Sequence, residues 1–148
     1  MAVALLDVSV LVALFHAAHV HHDVAHDWFT DNGESGWASC PLTENGVLRI
    51  LSHPARVDPY VPLPELVRRL STFREHSRHH FWTDDLSFRD SRRFNVSAIR
   101  GHQQLTDVYL LGLAVAHDAR LITFDGGVPL AAAKGARKRH LEVLAPAE

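Results

Sequence analysis

The feature that most limits what this chain can fold into is the stretch over residues 2–15, AVALLDVSVLVALF, an apolar segment interrupted by a single acid. Residues 2–6 form a short uncharged run, the composition of a strand covered on both faces of a parallel sheet. Apolar residues resume at Val10, Leu11, Val12, Leu14 and Phe15, dense enough for a buried helix, with Ser9 as its expected N-cap. Asp7 therefore stands where a central strand ends and a helix begins. In open α/β sheets that edge is where ligands bind. A carboxylate between two apolar elements is costly unless something pairs with it. Asp7 is thus either a helix-capping acid or part of a polar site.

The rest of the chain repeats this alternation. Residues 16–32 place Val20, Val24, Trp28 and Phe29 at helical spacing, an amphipathic helix. Residues 36–39 follow a turn-like Asn32-Gly33 and predict a second strand. Pro41 then opens a helix that must stop before Pro54. Residues 58–64 are a proline-rich loop, and residues 65–76 a helix with arginines outward. A third strand is expected over 79–83, ended by Asp84 and Asp85, which cap the next segment or belong to a site. Residues 105–117 form the most apolar helix, where Gly112 would allow close packing. Residues 120–124 are a strand ended by Asp125 and the turn Gly126-Gly127, and 141–144 a final edge strand. Residues 134–140 read as a solvated basic loop.

Alternating strands and helices imply a mainly parallel sheet of about five strands between helices. The 148 residues suffice for one domain over 1–148, and 47% hydrophobic with 22% charged residues is the balance of a soluble globular protein. A formal net charge of −2 supplies no global basic field, so any nucleic-acid contact must use a local patch. The single cysteine, Cys40, excludes an internal disulfide and a cysteine-only metal site, and suits a reducing cytoplasm. The first apolar run is too short to span a bilayer and lacks the flanks of a signal peptide.

Right-handed crossovers put the carboxyl ends of parallel strands on one edge. Asp7 and Asp125 then lie at strand ends, and Glu44 and Asp107 in the first turns of helices that leave the same edge. Four carboxylates should converge there. Crowded carboxylates repel, and some hold a proton unless a cation arrives. Hard oxygen ligands select Mg²⁺ or Mn²⁺. Such ions suit phosphoryl transfer; two of them about 3.5–4 Å apart would activate water and steady the leaving oxygen. Arg89, Arg92, Arg93, Arg100 and His102, grouped around Phe94, have the chemistry of phosphate contact with base stacking.

The motifs LLDVSVL, PLTENGVLRIL, GHQQLTDVYLLGLA and LITFD, in this order, resemble the PIN-domain ribonucleases, and within them the VapC-type toxins of VapBC toxin–antitoxin modules. FWTDDLSF before the third motif resembles one branch of that family. The resemblance runs nearly end to end. It implies a three-layer α/β/α fold, an acidic Mg²⁺ or Mn²⁺ site, endonucleolytic cleavage of RNA such as tRNA or rRNA, homodimers, and a VapB-type antitoxin that fills the active-site groove. The helices over 19–32 and 41–52 would wall that groove. The family's acids map onto Asp7, Glu44, Asp107 and Asp125. In that reading Asp7 and Asp107 coordinate the principal metal, Glu44 and Asp125 complete the site directly or through water, Ser9 orients Asp7 or a water, and Thr106 and Thr123 support from behind. Two rivals remain at this point. One is a binding module whose acids hold a structural cation. The other is a zinc hydrolase using His22 and His26, which stand four apart in HDVAH.

Overall fold

The computed structural model describes residues 2–55, 57, 60–75 and 77–145. The described residues form five short strands, β1 (Ala4–Leu6), β2 (Trp37–Ser39), β3 (His79–Phe81), β4 (Arg120–Thr123) and β5 (Leu141–Val143). Between them lie α1 (Val8–Phe15), α2 (His22–Asn32), α3 (Pro41–Leu51), α4 (Leu63–Glu75) and α5 (Leu105–Ala116). The sheet runs β3-β2-β1-β4-β5, and every pairing is parallel. The first strand is therefore the central one, with Leu5 paired to Ala38 on one side and to Leu121 on the other.

The apolar run of β1 has residues to cover on both faces, as its composition demands. Ala4 and Leu6 pack with Trp37, Ile122 and the buried sides of α1, α2, α3 and α4. Leu5 points the other way, with Ala38 and Leu121, onto Leu110, Leu111, Leu113 and Ala114 of α5. This period-two alternation between two helical layers is the α/β/α sandwich.

Several local expectations shift. The helix over 16–32 starts only at His22, because residues 16–21 are spent in turns that reverse the chain after α1. Val20, expected on the apolar face, is 84% exposed. Ser9 is not the cap of α1; Asp7 is, accepting from the Val10 backbone N–H at 3.0 Å. The second strand starts at Trp37, since Gly36 takes a positive φ of 97°. The third strand stops at Phe81. Asp84 caps backward rather than forward: its Oδ2 accepts from the Leu42 backbone N–H at 2.9 Å, in the first turn of α3. The helix over 65–76 begins two residues early, at Leu63; His76, Asp58 and Pro59 lie outside the described residues. The basic loop over 134–140 is not all solvated, because His140 is buried and accepts from the Arg137 backbone N–H.

Two glycines set helix approach. A Cβ on Gly46 would stand 2.5 Å from Val8 Cγ2, so α3 reaches α1 only because that atom is missing. A Cβ on Gly112 would stand 2.4 Å from the Phe94 ring. Phe94 is accordingly 2% exposed, packed among Phe88, Tyr109 and α5. It belongs to the core and has no free face for a base.

Candidate active site

A sheet that winds from β1 through β2 to β3, then returns to β4 on the other side, opens a crevice where the order reverses. That point lies between β1 and β4. Asp7 follows β1 and Asp125 follows β4, so the topology sets the two acids on the banks of one crevice. The Asp7 backbone N–H donates to Ile122 O at 3.1 Å and ties the two strand ends together. The cleft there has a volume of about 680 Å³. It is lined by Asp7, Val8, Ser9 and Val12 of the first strand–helix unit, by Thr106 and Asp107 of α5, and by Phe124 and Asp125. Leu42, Asn45, Gly46, Arg49 and Ile50 of α3 form the opposite wall, and His19 and His21 the rim.

Asp7 is held from several directions. Ser9 Oγ donates to its Oδ1 at 2.6 Å, and the Val10 N–H to the same oxygen at 3.0 Å. Burial pushes its carboxyl above the usual range, while bonds from Ser9, Thr123 and Val10 pull it back down. Thr123 is fully buried and its Oγ1 also accepts from the Asp125 backbone N–H at 3.0 Å. Asp125 Oδ1 accepts from the Gly127 N–H at 2.8 Å, a turn that Gly126-Gly127 allows. Asp107, in the first turn of α5, has its carboxyl pushed up to about 7. Burial is the main cause, followed by the charges of Asp7 and Asp125 and a hydrogen bond with Asp125. Three carboxylates thus share a partly dry cleft and cannot all carry charge comfortably without a counterion.

Glu44 is elsewhere. On a helix turning roughly 100° per residue, Leu42, Asn45, Gly46, Arg49 and Ile50 share one face, and Glu44 lies roughly 200° from Leu42. Its carboxylate turns to the β2–β3 side of α3. There Ser39 Oγ donates to Oε2 at 2.5 Å and Arg74 Nη1 stands 3.4 Å from the same oxygen. The expectation of four convergent acids is thus met by three aspartates, with the glutamate on the far face.

The group around Glu44 resembles a hydrolytic triad but runs the wrong way. Arg74 Nε donates to His79 Nδ1 at 3.2 Å, so Nδ1 accepts. The remaining ring hydrogen is then on Nε2, which donates to Ser39 Oγ at 2.7 Å, and the hydroxyl passes its own hydrogen to Glu44. His79 has no lone pair for Ser39. Burial and Arg74 lower its pKa to about 4, and Ser39 is fully buried. The arrangement is a structural hydrogen-bond chain.

The other sequence candidates separate cleanly. Thr106 lines the cleft. Arg89, Arg92, Arg93, Arg100 and His102 do not; all are exposed, the first three on turns, Arg100 in irregular chain and His102 at the start of a 3₁₀ segment, with Arg92 bound to Asp90. Gln104 joins this stretch to the cleft bank, accepting from the Arg100 N–H and donating to Gly127 O. His22 is bonded to Ala13 O at 2.7 Å, and its ring lies 5.9 Å from that of His26. Among the described residues no three His, Cys, Asp or Glu stand ready as a cage for a metal ion. The zinc reading of His22 and His26 therefore has no third ligand among those residues. Burial pushes the Cys40 thiol up to about 11, which removes it as a nucleophile. Sequence reasoning missed Asn45, Arg49, His19, His21 and Phe124. The i, i+3, i+4 spacing of residues 42–50 was the available signal for the first two.

The PIN domain family matches residues 4–134. The chain is a PIN-domain protein. It is 43% identical to Ribonuclease VapC44 of Mycobacterium tuberculosis, over 95% of this chain and 99% of that protein. It is 42% identical to Ribonuclease VapC38 of the same organism, over 84% of this chain and 86% of the relative. Ribonuclease VapC39 is 36% identical over 89% and 95%. The chain belongs to the VapC-type branch of the PIN family. In this PIN domain the oxygen-only donor set of Asp7, Asp107 and Asp125 fits Mg²⁺ or Mn²⁺, which take a few carboxylates and complete their shells with water rather than demanding a protein cage. No helix among the described residues is long and apolar enough to cross a membrane.

Proposed function

We propose that this protein is a metal-dependent endoribonuclease, the toxin of a type II toxin–antitoxin module, folded as a single PIN domain and acting in the cytoplasm on tRNA or rRNA. The observation that carries this reading is the set of three aspartates in one cleft, one of them pushed up to a pKa of about 7 by burial and then by the other two. The names of the VapC relatives support ribonuclease activity and a VapB-type partner.

A bound Mg²⁺ or Mn²⁺ supplies a more acidic water and offsets charge on the phosphodiester. The chain's own residues do the rest. Ser9, Val10 and Thr123 keep the Asp7 carboxylate oriented toward the cleft. Asp107 retains a proton until a cation replaces it. The Gly127 N–H holds Asp125. In-line attack of water leaves 5′-phosphate and 3′-hydroxyl ends. Glu44, tied to Ser39 and Arg74, is assigned no direct ligand role. Arg89, Arg92, Arg93, Arg100 and His102 offer a basic surface along the bank for flanking phosphates. An antitoxin arginine inserted among the aspartates would compete with the cation, because its planar fork pairs with carboxylates. The active species is a homodimer.

The test is incubation of purified, antitoxin-free protein with total RNA and Mg²⁺ or Mn²⁺, followed by mapping of new 5′ ends. A few discrete metal-dependent cuts, absent with Asp107→Asn, are expected. Identical ends from the wild type and the variant, or no cuts with either metal, would return the acids to a cation-stabilised binding module.

A further inference from the structure

The α3 wall of the cleft carries one group that neither the acid site nor the basic stretch explains. Arg49 is the single Lys or Arg among the described residues that line the cleft, facing three aspartates. It is exposed, and among the described residues it has no ion-pair partner. Placement in the last turn of α3 agrees with the helix dipole, yet that preference holds for any face. What selects this face is the close approach of α3 to α1. Gly46 admits Val8 against the helix backbone, and the same turn spacing that brings Gly46 inward brings Asn45 and Arg49 to the cleft.

A phosphodiester entering this cleft meets a strongly acidic floor. A cation bound there neutralises part of that charge, and the nearest flanking phosphates remain opposed by the rest. A guanidinium on the facing wall can bind a phosphate bidentately, in the fork geometry that arginine alone provides. We infer that Arg49 binds a backbone phosphate of the RNA and positions the strand across the aspartates, so that it sets where the strand lies in the cleft. The inference rests on the nuclease reading above.

The experiment uses the full-length protein and one RNA substrate that the wild type cuts. Binding is measured in an Asp107→Asn background, where the strand stays intact, with and without Arg49→Ala. Arg49→Ala should weaken binding by about tenfold or more and lower the slope of log Kd against log salt by about 1. In the cleaving protein it should raise KM more than it lowers kcat, and Arg49→Lys should restore affinity in part but not the original choice of cut site. The melting temperature should stay at the wild-type value, because the side chain is exposed. Unchanged salt slope, KM and cut positions in Arg49→Ala, with the wild type still active, would overturn the assignment alone. If the wild type neither binds nor cuts RNA, the nuclease reading falls and the assignment falls with it. A lowered melting temperature with an unaltered salt slope would make Arg49 structural and also overturn it.

Discussion

Two clusters of acid lie on opposite faces of α3, and they solve the same problem differently. In the cleft, Asp7, Asp107 and Asp125 gather without a positive side chain bonded to any of them among the described residues, and Asp107 keeps its proton up to about 7. Behind the helix, Glu44 has a hydroxyl, a guanidinium and, one step removed, a neutral imidazole. The second cluster is satisfied as it stands. The first is satisfied only when something cationic arrives. That the fold neutralises one carboxylate with Arg74 and leaves the aspartates a helix-width away without such a partner among the described residues supports the proposal that they hold a cation.

The largest effect that would test this contrast is on catalysis. Asp7→Asn or Asp107→Asn should cut RNA cleavage by more than about 100-fold, with the metal-free fold as stable as the wild type or more so, since one of several repelling charges is gone. A collapse of the fold instead would place these acids with Glu44 as structural groups. Glu44→Gln should show the reverse balance: loss of about 1–3 kcal/mol of stability from the disturbed chain to Ser39 and Arg74, with cleavage kept within a few-fold. An inactive but fully stable Glu44→Gln would erase the distinction between the two faces.

Stability against pH sharpens the comparison, because the two clusters have opposite slopes. The folded pKa of Asp107 is raised from 3.8 to about 7, so between those values the native state holds a proton that the unfolded chain releases. Its contribution to metal-free stability therefore falls as pH rises through that window. The folded pKa of His79 is lowered from 6.5 to about 4, so the unfolded chain binds the extra proton, and stability falls as pH drops from 6.5 toward 4. In melting series over pH 4–7 without metal, Asp107→Asn should make the rise of stability with pH steeper, and His79→Gln should flatten it. Parallel curves for both variants would count against the assignment. By the same linkage, Mn²⁺ affinity should increase with pH up to about 7 and then level off.

A smaller effect concerns how the wall is built. Gly46→Ala would force a Cβ to 2.5 Å from Val8 Cγ2, pushing α3 from α1. A stability loss of about 1–3 kcal/mol is expected from such overpacking, together with a raised KM as the wall moves. The smallest effect belongs to His22→Ala with His26→Ala, which should leave cleavage intact; its abolition would revive a histidine-bound metal.

Much of the fold and part of the site was legible in the sequence for identifiable reasons. A buried strand and the acid that ends it are written in adjacent residues, so Asp7 and Asp125 could be placed at strand ends from local pattern alone. Asp107, at the start of the most apolar helix, carried the same signal. Glu44 did not, because its place in a first turn says nothing of which way the helix is rotated against the sheet. That rotation is decided by Gly46 meeting Val8, residues 38 apart in sequence. Phe94 was misread for a related cause: an aromatic among arginines looks exposed until Gly112, on a distant helix, opens a slot for its ring. Ser9 looked like the cap of α1, but its hydroxyl bonds Asp7, which performs the capping itself.

The central position of β1 has a consequence for the order in which the protein becomes dangerous. Its partner β4 is more than a hundred residues downstream, with Ala4 aligned to Arg120. While the chain emerges from the ribosome, the first strand has only one neighbour, and the cleft has only one bank. At about 5–20 residues per second, roughly 6–24 s separate the appearance of Asp7 from that of Asp125. On the proposed reading the nascent chain lacks a complete cleft for nearly all of its synthesis, and an inhibitor already present would have that interval in which to meet it.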